Sequence, residues 1–436
     1  MRGYHARHAR DGARRRRVHQ GCVGTRRMHP VRSGTELRPE VAVHGLFVVF
    51  GLVIAAFFPF FAIYLDGRGL SPDEIGVVIA VTALARVVAN PVWGHYADTR
   101  FGRLTALQIG TIGAGTAAVT MNLVHGLPAI TVIASVVAVF WVSVGPNIDA
   151  IALVHLGDER MSGYGRIRGW MSASYAVGCL VFGAIMELAG VRWAMPIFAL
   201  ASLAVLAWSS TVVRDRPVDV EAHGRMGAVG AVFREAPRFW GFMAAVLLVW
   251  VGFNAAWNFV SLKIVGEGGG PLLIGLGTAM GGLIEVPVMR VSSRLQSRWG
   301  LRRVYVLGCV IYATGFLLWG LIDDPTIVSL LTMFEGVAFG LLFTTSVVVI
   351  GRLLPSTLYS TGNSIWGMVA LGAGPIIGAG IGGFVYQHAG TVVLYVGAST
   401  LALAGGVAAW FALSTPALAA PQAPAEIPAE LDRLGT

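Results

Sequence analysis

Asp149-AIALVHLGDERMSG-Tyr164-GRIRGWMSAS-Tyr175 is the stretch on which the reading of this chain turns. Asp149 closes a long apolar run that begins near Pro128. Tyr164 to Arg168 open the next apolar run, which continues to about Leu188. A carboxylate and an arginine thus ride on two successive membrane-length helices joined by a short polar loop. Charges inside a bilayer cost about 2.5–3.5 kcal/mol each on insertion scales, and they face a cavity or a partner. Arg166 and Arg168 lie two residues apart, so at about 100° per residue they point to nearly opposite faces. Arg168 and Tyr175, seven apart, share one face. The stretch predicts a polar pocket walled by Asp149, Arg168 and Tyr175. The competing reading, a basic loop that anchors two helix ends, suits Arg166 better than it suits Asp149 with Arg168.

The rest of the chain agrees with a membrane reading. Of 436 residues, 55% are hydrophobic and only 13% charged, with 57 glycines, where a soluble domain carries about 25% charged residues. Abundant glycine lets membrane helices approach closely. A net charge of +9 raises a nucleic-acid partner, but the basic residues sit in the N-terminal tail and in alternate loops, so none is expected. Cys22, Cys179 and Cys309 form no disulfide framework and no metal pattern.

Residues 1–40 read as a basic, disordered cytoplasmic tail, including Arg14 to Arg17, with no apolar run of a secretory signal behind them. Met28 offers an alternative start, and RNA binding by the tail is the sharper alternative. Apolar runs long enough to span follow at about 43–65, 73–94, 104–124, 128–153, 166–189, 191–213, 239–264, 271–293, 302–322, 326–352, 360–386 and 391–414. Arginines mark every second loop, for example Arg100 and Arg103, Arg214 to Arg238, and Arg294 to Arg303. Both termini are therefore expected in the cytoplasm, with an even number of spans in the cytoplasmic (inner) membrane.

The longest internal loop, 214–238, is read as a cytoplasmic linker between an N-terminal half at 41–213 and a C-terminal half at 239–414. Residues 415–436 are read as a disordered cytoplasmic tail. A weak repeat supports two six-helix halves. Gly94-HYA-Asp98-T-Arg100-Phe101-Gly102-Arg103 joins spans two and three, and Ser292-SRL-Gln296-S-Arg298-Trp299-Gly300-Leu301 joins spans eight and nine. Aligning Gly102 with Gly300 also aligns Arg100 with Arg298 and Phe101 with Trp299. A binding site is expected between the halves, near the midplane.

The Gly94–Arg103 loop resembles the GxxxDRxGR signature of the major facilitator superfamily, with Thr99 in place of the arginine that usually follows the aspartate. The YGRIR stretch after Asp149, Leu70-Ser71-Pro72-Asp73-Glu74-Ile75-Gly76 and Ile284-Glu285-Val286-Pro287 resemble the group that holds the lactose permease and the phenylpropionate and nucleoside proton symporters. The resemblance covers about 43–414. It implies an all-α integral membrane protein of twelve transmembrane helices in two six-helix pseudo-symmetric halves, the major facilitator fold. Gly94, Asp98, Arg100, Gly102 and Arg103 become gating residues. Arg168 falls at that group's substrate-binding arginine, Asp149 near its partnering acid, and Tyr175 at a ring that stacks on the sugar. Met333-Phe334-Glu335 matches its proton-coupling motif, although Thr332 stands where a histidine is usual.

The ionisable residues inside the spans are Arg86, Asp149, Arg168, Glu285 and Glu335. Glu335 is read as the proton-coupling acid, with Glu285 serving substrate and coupling. For Arg86, structural pairing ranks ahead of anion binding. Span seven places Trp250, Asn254, Trp257 and Asn258 on one face, and span eleven does the same with Asn363 and Trp366. Asn254, Trp257 and Asn258 therefore join the expected substrate site. No GxxxxGK[ST], HExxH or GxSxG motif occurs, so no ATP drive, enzyme activity, cofactor or bound metal is expected. The sequence points to a monomeric secondary active transporter in the lipid bilayer. It would move a small polar or anionic organic solute (sugar, nucleoside or aromatic acid) with a proton, by alternating access and symport. Proton-antiport efflux of drugs or sugars, and a non-transporting membrane receptor, stay open.

Overall fold

A computed structural model describes residues 39–156, 160–212, 232 and 236–415. The expected tails, 1–40 and 415–436, fall outside these residues except at their inner ends, as does most of the expected linker, 214–238. Among the described residues the chain is helical. Ten spans are α1 (Glu40–Asp66), α2 (Pro72–Phe101), α3 (Arg103–Met121), α4 (Leu127–Leu156), α5 (Arg160–Ala189), α6 (Val191–Ser209), α7 (Pro237–Gly266), α8 (Pro271–Trp299), α9 (Leu301–Leu321) and α10 (Pro325–Leu353). A last helical stretch, Tyr359–Ala412, has 54 residues. Unbroken, it would be about 80 Å long, far beyond a hydrocarbon core of about 30 Å. Gly390 divides it, with φ 84° and ψ 171°, a backbone that glycine alone adopts at little cost. The result is α11 (residues 359–389) and α12 (residues 391–412), and the expected twelve spans are present.

The turns carry the symmetry. Left-handed glycines pair at separations of 198–200 residues: Gly69 with Gly268, Gly102 with Gly300, and Gly190 with Gly390. Each pair occupies the same joint in the two halves. In the first half α1 packs on α5 and α6, and α3 packs on α4 and α6. In the second, α7 packs on α11 and α12, and α10 packs on α8 and α9.

Among the described residues the most extensive contacts between the halves are α5 with α8 and α2 with α11, and the end of α1 also touches α7 and α8. The first two are tightest at the arginine-poor end. A Cβ on Gly275 would lie 2.2 Å from the carbonyl oxygen of Cys179, and one on Gly183 would lie 2.8 Å from that of Pro271. A Cβ on Gly76 would lie 2.5 Å from the oxygen of Ala379, and one on Gly383 would lie 2.4 Å from that of Pro72. Backbone therefore meets backbone, as small residues permit. Further along, the helices touch through side chains, Tyr175 on Gly282 and Val87 on Gly372. Toward the arginine-rich end, a Cβ on Gly94, Gly169 or Gly367 would meet nothing within 4 Å. Pro91 and Pro287 lie inside α2 and α8 on this diverging side, where proline frees a helix to bend.

Polar contacts fasten the closed end. The Glu187 carboxylate at the end of α5 accepts the backbone N–H of Leu272 at 3.1 Å, capping α8 from the opposite half. A carboxylate suits a helix N-terminus because unpaired N–H groups and the dipole meet it there. Ser71 and Glu74 form a capping box at the start of α2. Lys263, fully buried near the end of α7, reaches Asp323 at 3.2 Å and Glu267 at 3.4 Å, tying α7 to the loop before α10.

Candidate functional site

Two helix breaks set the polar site. The α4 ladder is interrupted at Val142–Ser143 although Val142 keeps right-handed helical angles, and the Ser143 hydroxyl donates to Phe140 O at 2.9 Å. α10 breaks at Leu331, and the Thr332 hydroxyl lies 2.7 Å from Gly277 O of α8 and 2.7 Å from Ser329 O. Each break precedes an acid by no more than two turns, Asp149 on α4 and Glu335 on α10. Discontinuous helices are where membrane carriers place polar sites.

Arg168 on α5 meets Asp149 across the hairpin at 3.5 Å and donates to the Tyr164 hydroxyl at 2.8 Å. Their side chains are 50% and 37% exposed, so solvent screens the pair, and an exposed pair of this kind contributes about 0–1 kcal/mol. Such a pair opens at little cost when another anion or hydroxyl is offered. Both contacts use one terminal nitrogen of Arg168, which leaves the other edge of the guanidinium free. Glu285 on α8 lies within Coulombic reach of Arg168, and Glu335 within reach of Glu285. Among the described residues neither glutamate has an ion-pair or hydrogen-bond partner. Tyr175 stands beside Cys179 and within reach of both glutamates, as does Tyr312 of α9. Arg168, Asp149, Tyr175, Glu285 and Glu335 are thus brought together. The side chain of Arg166 lies outside the described residues.

A cavity lies toward the closed end, and none of Asp149, Arg168, Tyr175, Glu285 and Glu335 is among its lining residues. It encloses about 940 Å³ including its mouth. Phe57, Phe61 and Trp141 come from one half, Trp257 and Asn258 from the other. Trp257 and Asn258 therefore face it as expected. Asn254 does not: it is buried where α7 crosses Gly378 of α11, and its amide donates to Trp250 O at 2.7 Å. Trp250 and Trp366 pack edge to face at 5.8 Å inside the second half, away from the lining. The Asn363 amide returns to Tyr359 O at 3.0 Å. Arg86 lines the cavity, and the structural ion pair expected for it is absent among the described residues.

At the arginine-rich end, Ala97–Phe101 widens into a π-turn, and Gly102, with φ 76°, starts α3. Arg103 Nε lies 3.8 Å from Asp98. Arg100 is exposed, and a Cβ on Gly94 would meet nothing. Gln296, in the place of Asp98 in the second half, donates instead to Ser292 at 2.7 Å and Thr345 at 3.2 Å.

The model of the MFS_1 like family matches residues 43–396. The chain belongs to this family of the major facilitator superfamily, and it is a multi-pass membrane transporter, not an enzyme. It is 26% identical over 378 residues to a maltose permease of Geobacillus stearothermophilus, covering 84% of this chain and 93% of that one. It is 22% identical to a protein of Escherichia coli (strain K12) described as a probable 3-phenylpropionic acid transporter, over 78% of this chain and 89% of that one. Among solved structures it resembles the nucleoside transporter NupG, with a TM-score of 0.76 at 13% identity over 87% of this chain and 100% of that one. That likeness shows the fold.

Proposed function

We propose that the protein is a secondary active transporter that carries a small polar or anionic organic solute inward with a proton, by alternating access. The observation that carries this reading is the pair of glutamates without an ion-pair or hydrogen-bond partner among the described residues, Glu285 within reach of Arg168 and Glu335 within reach of Glu285. A charge without a partner in a low-dielectric interior is costly, so such acids are kept where a proton or a ligand relieves them. The names of the relatives cover a sugar, an aromatic acid and a nucleoside, and the cavity has polar groups and rings suited to each.

The arginine-rich end faces the cytoplasm by charge bias, so the molecule is drawn closed to the outside and open inward. The division at 214–238 supplies two halves that rock about the site, with Asp98, Arg103 and Gly94 at the inner gate. Purified protein in sealed vesicles tests the reading. An inward-directed proton gradient should drive accumulation of a labelled solute from one of the three classes. No gradient-dependent uptake of any of them would remove it.

Two substitutions separate binding from cycling. Arg168→Lys keeps a cation for Asp149 and Tyr164 but removes the second donor edge that forks onto substrate oxygens. Affinity should fall about 10- to 100-fold, the worth of one charge-assisted hydrogen bond, while the protein still inserts. Full binding by that variant would take Arg168 out of the site. Asp98→Ala removes the acid that faces Arg103 at 3.8 Å, and transport velocity should drop several-fold at unchanged affinity. A loss of affinity with normal turnover would contradict the gating role.

A further inference from the structure

Arg86 sits midway along α2 and lines the cavity. Among the described residues it makes no ion pair and no hydrogen bond, and no carboxylate lines this space with it. Arginine does not shed its proton in proteins, so the cavity holds a fixed positive charge. Removing such a charge from water costs several kcal/mol unless a partner repays it. No partner is built in. The cavity walls are mainly aromatic and aliphatic, with Phe57, Phe61 and Trp141 from one half and Trp257 from the other. The amide nitrogen of Asn258 donates to Asn254 O at 2.7 Å, which leaves its oxygen as an acceptor in the lining.

We propose that Arg86 anchors the anionic group of the transported solute, and that this solute is a ring-bearing monocarboxylate. The proposal rests on the transport reading above and narrows its three solute classes to one. A carboxylate fits the planar fork of a guanidinium through two parallel hydrogen bonds. Its single negative charge balances the single positive charge of this cavity. A phosphate, with a second charge, would leave one unpaired in an apolar site. The ring then lies among Phe57, Phe61, Trp141 and Trp257, where offset or edge-on packing adds to its burial. A sugar has no charge with which to answer Arg86. The arrangement also gives Arg86 and Arg168 different tasks. Arg168 already has Asp149, whereas Arg86 waits for an incoming anion.

The test uses the full chain purified in detergent, with calorimetric titration of 3-phenylpropionate, benzoate and 4-hydroxyphenylacetate. 3-Phenylpropionamide, phenyl phosphate, maltose and uridine serve as contrasts. At least one carboxylate should bind at least tenfold more tightly than the amide and the phosphate. Arg86→Gln should weaken that carboxylate by about 10- to 100-fold and leave the amide unchanged, with Arg86→Lys between. The ligand-free melting temperature of Arg86→Gln should equal or exceed that of the wild type, because the substitution removes a half-buried charge from a largely apolar cavity. A variant that melts lower and still binds the carboxylate with wild-type affinity would show Arg86 to be structural and overturn the proposal. Binding of maltose or uridine without any carboxylate would overturn it too, with the transport reading intact. Silence toward every probe, with no gradient-driven uptake, would remove both.

Discussion

Leucine at both Gly76 and Gly275 is expected to abolish net transport and to hold the protein open at its arginine-poor end. At Gly275 even a methyl group would sit 2.2 Å from the carbonyl oxygen of Cys179, and at Gly76 it would sit 2.5 Å from that of Ala379 and 3.0 Å from Gly383 Cα. The atoms in the way are backbone, so no side chain can rotate aside. Two helix pairs would have to separate, and they are the α5–α8 and α2–α11 contacts, the most extensive between the halves. The contact that Glu187 makes with Leu272 N–H crosses the same seam and would part with it. The rest of each half is untouched, so insertion should be normal. The measurement is labelling of a cysteine placed at Thr278, in the cavity lining, by an impermeant maleimide added from outside, with Cys22 replaced by serine. Cys309 is buried within the second half and contributes a low background, whereas Cys179 lies on the seam that would open and is replaced by serine as well. Labelling should rise about tenfold or more, since accessibility follows the population of the open form directly. Gly397→Leu is the control, because a Cβ there meets nothing within 4 Å. Unchanged labelling with normal uptake would show that closure does not depend on these crossings.

The contrast between those glycines shows what a sequence of this kind discloses. The spans were legible, because a bilayer demands about twenty apolar residues for each crossing and arginines mark alternate loops. The Asp149–Arg168 pair was legible because its partners share one hairpin, and the two side chains stand 3.5 Å apart. One turn repeat was legible, Gly102 with Gly300, because arginine and an aromatic residue accompany both glycines. The pairs Gly69 with Gly268 and Gly190 with Gly390 have no such escort and emerge only from their dihedral angles. The breaks in α4 and α10 differ in composition signal. In α4 the signal is Gly145-Pro146, since proline has no N–H for the Val142 carbonyl four residues back; in α10 no proline accompanies the turn at Leu331, which reads as an ordinary membrane residue.

Periodicity assigns a residue to a face of its own helix but not to the neighbour that this face meets. Asn254 and Asn258 are four apart and share a face, yet the first is sealed against Gly378 of α11 and the second reaches the cavity. Trp250 and Trp257 divide in the same way. Arg86 is legible as a costly charge, but which acids come near it shows only in the packed structure, where it has no ion pair among the described residues. The contact between Glu187 and α8 drew no notice at all, because it joins residues 85 positions apart across the two halves.

Glu335→Gln is expected to abolish uphill accumulation while sparing exchange of internal for external solute. Glutamine has nearly the size of glutamic acid and mimics its protonated form, but it cannot ionise. Glu335 sits on α10 just past the break at Leu331, within Coulombic reach of Glu285 and without a hydrogen-bond or ion-pair partner among the described residues. As the coupling acid of the proposed cycle, Glu335 is protonated when the loaded carrier turns. The empty carrier must first release that proton to the cytoplasmic side if transport is to be uphill. Removing the ionisation removes the release step and with it the link to the proton gradient. Exchange needs only the loaded carrier to reorient, and the glutamine variant retains that step. Vesicles holding a pH gradient would report the first mode, and preloaded vesicles without a gradient the second. Accumulation should collapse to simple equilibration across the membrane, with exchange within about twofold of wild type. Normal accumulation by the variant would take Glu335 out of the coupling and leave Glu285 or Asp149 to carry the proton. Loss of both modes, with correct insertion, would mean that Glu335 holds the solute or the helices rather than the proton.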